Sequence, residues 1–160
     1  MESRTTPSGN AGSEAAVGLR ARITPGKPQP SLTQDIASCR CTEPVRAGLH
    51  LLNGDWDRAH KVAQEIETPL GAYWHALVHR HEPDFPNSKY WLAQAGRNPV
   101  HAQLAEAART MGHEDVLRNG NWDPNAFTDR FAAPEREDWV EKLDILEMQL
   151  LLEYCLAQSA

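Results

Sequence analysis

The sequence predicts an all-α protein: a single compact helical domain of about six to eight helices, up-and-down or repeat-like, behind a disordered N-terminal tail. Three observations predict it. Residues that start and stop helices recur in register from Thr42 onward. The C-terminal segment carries an apolar stripe, Trp139, Leu143, Leu146 and Leu150, at helical steps. No window alternates apolar and polar positions with β-branched residues, as a half-buried strand would.

Residues 1–34 are rich in Pro, Ser, Thr, Gly and Ala and lack periodicity. Such composition offers little apolar surface to offset the entropy of ordering, so a flexible tail is expected there. The helical domain is expected over residues 35–160. Thr42 is suited to cap a helix running to about Leu52, with Gly54 at its end. Asp55 can cap the next, to about Glu67. Thr68-Pro69 is a cap followed by proline at the first helical position, where the missing N–H costs nothing. That helix should reach about His81 and stop before Pro83. Asn87 can cap a fourth, ended by Gly96. Asn98-Pro99 opens a fifth, ended by Gly112, and Asp123-Pro124 a short one to about Phe131. The last should span about Pro134 to Ala157, with Glu135, Glu137 and Asp138 in its first turn, the favourable sign for the helix dipole. Ala47 to Ala63 has the small-residue pattern of a tetratricopeptide-type hairpin, but no period of 34 follows.

Composition narrows the function. The chain has 160 residues, 41% of them hydrophobic, and a formal net charge of -6. That balance argues against a nucleic-acid footprint and against a polybasic membrane patch. No apolar run approaches the roughly 18–20 residues that span a bilayer. Nothing at the N-terminus reads as a secretory or transit signal, so a cytoplasmic protein is expected. Cys39, Cys41 and Cys155 make no disulfide framework and lack the Cys-x-x-Cys spacing; reduced thiols are expected.

The chemistry-bearing feature is His75-Ala76-Leu77-Val78-His79. Histidines at i and i+4 share one helix face, the spacing by which a helix offers two imidazoles to one metal. His60 lies on the preceding helix, and a short connection should make the two helices antiparallel neighbours. Three neutral imidazoles suit one divalent ion, zinc or iron, able to activate water or polarise a carbonyl. The plainer reading is that these histidines are half-buried and hydrogen-bonded, and a third is metal-free acid–base work. Glu82 is the nearby carboxylate. Arg80, Asp84 and Lys89 can orient a polar or anionic small molecule, with Tyr73, Trp74 and Trp91 as aromatic walls. Trp56, Trp122 and Trp139 read as packing. His50, His101 and His113 stand alone and carry no expected role.

These residues resemble a family of uncharacterised bacterial and fungal helical proteins. The resemblance rests on Ala47-Gly48-Leu49, His60, Ala63-Gln64, Ile66-Glu67-Thr68-Pro69, Tyr73-Trp74-His75, His79-Arg80, Glu82-Pro83-Asp84, Asn87 and Lys89-Tyr90-Trp91. Asn98-Pro99-Val100 and Trp122-Asp123-Pro124 extend it. The family has Arg where this chain has His81 and an aromatic where it has Asn125. The resemblance implies that His60, His75, His79, Arg80, Glu82, Asp84 and Lys89 form one site, and it implies no particular reaction. Two functions are therefore expected in competition. One is a small lyase, isomerase or hydrolase with His60, His75, His79 and Glu82 as catalytic or metal-binding groups. The other is a non-catalytic helical module that receives a protein partner.

Overall fold

Among the described residues proline lies in the first turn of six helices, where it removes no intrahelical hydrogen bond and presets φ. The computed structural model describes residues 7–159, with side chains from residue 14. Its elements are α1 (Pro7–Arg22), α2 (Pro30–Ser38), α3 (Glu43–Leu52), α4 (Trp56–Gln64), α5 (Pro69–His81), α6 (Phe85–Ala95) and α7 (Val100–Thr110). A 3₁₀ turn (Glu114–Val116), a two-residue hairpin of β1 (Leu117–Arg118) and β2 (Asn121–Trp122), α8 (Pro124–Phe131) and α9 (Asp138–Ser159) follow. The all-α class is as the sequence predicts, with nine helices among the described residues rather than six to eight. None is long and apolar enough to cross a membrane.

Consecutive helices from α3 to α6 pack side by side, and α9 lies across α3, α7 and α8. Buried leucines of α3, α5, α7 and α9 form the centre of the core. The α4–α5 turn is tight: a Cβ on Gly71 would sit 2.1 Å from the Ile66 carbonyl oxygen. Only glycine fits, and the close approach seats the start of α5 against the end of α4.

Several expectations need correcting. Most of residues 7–34 is helical rather than a flexible tail. α1 and α2 occupy most of that stretch and bury Ala16, Leu19 and Leu32, with Ile23 buried just after α1. A few well-spaced apolar residues suffice because they dock on α3 and α9 instead of standing alone; residues 1–6 lie outside the described residues. α4 stops at Gln64, not near Glu67. α6 starts at Phe85, with Asp84 rather than Asn87 as its cap: the Asp84 carboxylate accepts from the Asn87 backbone N–H. Finally, Asn119-Gly120, both at positive φ (54° and 80°), closes the β1–β2 hairpin, a dipeptide suited to that turn.

The α9 stripe is also rotated from the expected one. Leu143 is buried, but Trp139, Leu146 and Leu150 sit only partly covered. The buried face runs through Val140, Leu143, Asp144, Glu147, Met148 and Leu151. Two acids belong to it because Arg80 of α5, only 1% exposed, reaches across to them. Its guanidinium donates to Asp144 Oδ1 at 3.0 Å and Glu147 Oε1 at 2.5 Å. Tyr73, one helical face-repeat earlier, donates its hydroxyl to Glu147 Oε2. His81 Nε2 adds a contact to Asp144 Oδ2 at 2.9 Å. Burial alone would lower the Arg80 pKa, but Glu147 and Asp144 outweigh it and hold the guanidinium charged. The Phe127 and Phe131 rings cover it at 4.9 and 5.4 Å.

Replacing Arg80 with Met should lower the unfolding free energy by about 3–5 kcal/mol, because two buried carboxylates lose their cation. Urea denaturation followed by circular dichroism measures this. A loss below about 1 kcal/mol would show that the network does not hold α5 to α9.

Candidate metal centre

Along α5, Tyr73, Leu77 and Arg80 fall on one face, and His75 and His79 fall about 200° away from it. The first face meets α9. The second meets α4, where His60 waits, and Glu82 just beyond the helix end closes the set. One ring nitrogen from each of His60, His75 and His79 lies within 4.8 Å of the others, the one such three-residue group among the described residues. His60 Nε2 and His75 Nε2 are 3.1 Å apart. Tetrahedral ligands at 2.0–2.1 Å from zinc stand about 3.3 Å from one another, a spacing close to that of the His60–His75 pair.

Behind the rings, the Glu82 carboxylate spans two histidines. Oε2 lies 3.3 Å from His60 Nδ1 and Oε1 lies 3.4 Å from His79 Nδ1. When Glu82 accepts a hydrogen bond from His60 Nδ1–H, the Nε2 lone pair is left facing His75, the tautomer a metal ligand needs. His75 and His79 stack at 4.8 Å, and His75 also stacks on Trp91 at 4.2 Å with an interplanar angle of 16°. These contacts fix the ring planes.

Burial and neighbouring rings favour the neutral form of His75 and His79. Burial, then the neighbouring His60 and His79, lowers the His75 pKa from 6.5 to about 4. Burial and His60 also lower His79, against an opposing pull from Glu82 and Asp84. Neutral imidazole is the form that binds metal. A cleft of about 320 Å³ adjoins, with His75, Trp91, Gln64, Gln94, Thr68 and Glu67 among its walls.

The structure brings together His60, His75, His79, Glu82 and Trp91 and separates the other expected site residues. Arg80 faces α9 and is sealed in the core, so it cannot orient a ligand here. Tyr73 (1% exposed) is committed to Glu147, and burial with that carboxylate pushes its pKa well up. Trp74 is fully buried against Gly48 of α3. All three were grouped with His75 by sequence adjacency, whereas helical geometry turns neighbours away from one another. Lys89 pairs with Asp129 of α8 instead of the histidines. Asp84 caps α6, and its carboxylate comes only within 3.9 Å of His79 Nδ1. Trp56, expected to pack, is 42% exposed. The three cysteines are free thiols.

Comparison with models of known protein families, with curated proteins and with solved structures finds no match to this chain.

Acid should destabilise the fold through these histidines. His75, His79, His50 and His101 all have folded pKa values below 6.5. Below about pH 6.5 the unfolded chain takes up protons that the folded chain refuses, so stability is full above that pH and is lost as pH falls towards 4. The urea midpoint should drop between pH 7.5 and 5.0, and His75→Gln should shrink the drop. Equal midpoints at the two pH values would contradict the assignment.

Proposed function

We propose that the protein is a small metal-dependent helical enzyme whose centre is His60, His75 and His79, with Glu82 as the carboxylate that orients the rings. The observation that carries the reading is the convergence of three imidazoles from two helices beside an open cleft. A carboxylate behind the ligand set fits it, because metal-binding histidines usually donate their second N–H to such a group. Bound there, a divalent ion such as zinc or iron would supply Lewis acidity for hydrolase, lyase or isomerase chemistry.

The chain's own residues define what enters. Trp91 and the apolar wall of Ala63, Ile66 and Ala72 exclude water from one side of His75, while Gln64, Gln94 and Thr68 offer hydrogen bonds. With Arg80 and Lys89 directed elsewhere, Glu67 is the only carboxylate or cationic side chain among the described residues lining the cleft, so a neutral or amine-bearing polar molecule suits it better than an anion. Glu82 holds the His60 proton at Nδ1. Membership of the family marked by Tyr73-Trp74-His75, His79-Arg80 and Lys89-Tyr90-Trp91 belongs to the same proposal, as does a cytoplasmic setting, for which free thiols are the support.

Titration of the full chain against a chromophoric chelator at pH 7.4 should give close to one equivalent of zinc. Replacing His75 and His79 together with Ala should abolish uptake, and Glu82→Gln should weaken it about 10–100-fold. No uptake, or uptake that survives the double histidine variant, would reject the proposal.

A further inference from the structure

A second cavity, of about 250 Å³, lies where the ends of α3, α5 and α8 meet the start of α4 and the first half of α9. It shares no lining residue with the cleft beside His75. Leu51, Leu52, Phe131 and Met148, each at most 4% exposed, make its inner wall. Trp56, 42% exposed, makes part of its outer wall. Small-molecule sites have this make-up, an apolar chamber with a few placed polar groups.

The placed polar group is His81. Its Nε2 lies 2.9 Å from Oδ2 of Asp144, a carboxylate only 3% exposed. An ionised carboxylate only accepts, so Nε2 carries the proton, and in the neutral ring Nδ1 keeps its lone pair. That Nδ1 has no hydrogen-bond partner among the described residues, yet it is not closed off from solvent. Trp56 and Phe131 flank the ring, with centroids 5.7 and 5.3 Å away. With Asp144 they border the same cavity, so the free edge of the imidazole opens into it. The charged side chains of the wall are already paired: Asp144 with Arg80, and Arg136 with Glu141 at 3.9 Å. An apolar chamber with a fixed acceptor and no unpaired charge favours a neutral ligand that brings one donor.

We propose that this cavity binds a small neutral aromatic molecule carrying one N–H or O–H group, of the indole or phenol class, with its ring against Trp56 and Phe131 and its donor on His81 Nδ1. Aromatic walls suit an aromatic guest, which gains from offset or edge-to-face contact beyond its burial. A dry cavity of about 150 Å³ takes a benzene ring, so 250 Å³ leaves room for a fused bicycle. The buried Asp144 holds His81 in one orientation, so the ring presents its acceptor before the ligand arrives. No metal is needed.

The test titrates ¹⁵N-labelled full chain with indole at pH 8.0, and in parallel with benzothiophene, which has the same shape and no N–H. The Trp56 side-chain signal should shift and saturate with a Kd for indole below about 1 mM. Trp56→Ala, at an exposed position, should keep the amide spectrum and weaken both compounds at least about fivefold. His81→Phe should cut the ratio of indole to benzothiophene affinity about three- to tenfold, the worth of one hydrogen bond. Should that variant not fold, the His81 Nδ1 resonance of the unaltered chain decides, moving with indole and staying still with benzothiophene. Absence of a saturable shift, unchanged binding in Trp56→Ala, or an Nδ1 resonance that answers both compounds alike would overturn the proposal.

Discussion

A guanidinium in an apolar interior must find anions, and Arg80 finds two. Its bonds to Asp144 and Glu147 tie α5 to α9 across a gap that is spanned by long side chains, since α9 lies closer to α3 than to α5. Tyr73 and His81 add bonds to the same carboxylates. With that face of α5 fixed inward, the opposite face turns towards α4 and α6. The orientation of His75 and His79 is thus a consequence of where Arg80 is buried, and Gly71 brings His60 within reach by letting the two helices meet closely.

The histidine centre combines features that belong together chemically. Burial and mutual repulsion lower the pKa of His75 and His79, a carboxylate selects the His60 tautomer, and stacking on Trp91 restricts rotation of His75. Two imidazoles 3.1 Å apart can also share one proton as a hydrogen bond. A third ring nearby gains nothing from that bond, whereas it completes a ligand set.

Much of this was legible in the residues. Thr68-Pro69 fixed the start of α5 and Asp123-Pro124 that of α8, because capping and proline chemistry are local. The convergence of His60 with His75 and His79 followed from i, i+4 spacing plus a short turn. Other features were hidden for physical reasons. α1 and α2 gain their order from docking, which composition does not reveal. The buried face of α9 contains Asp144 and Glu147, which a search for apolar periodicity treats as surface. Arg80, Tyr73 and Trp74 sit beside His75 in sequence and opposite or oblique to it in space. Asn119-Gly120 carried a readable turn signal that a search for longer strands passed over.

X-ray absorption at the zinc edge, on full chain loaded with one equivalent of zinc, tests the central claim most directly. Three imidazole nitrogens at 2.0–2.1 Å with one lighter oxygen shell is the predicted first shell, collapsing when His75 and His79 are replaced. Sulfur at 2.3 Å, the signature of Cys39 and Cys41, or a shell of oxygens alone, would contradict it.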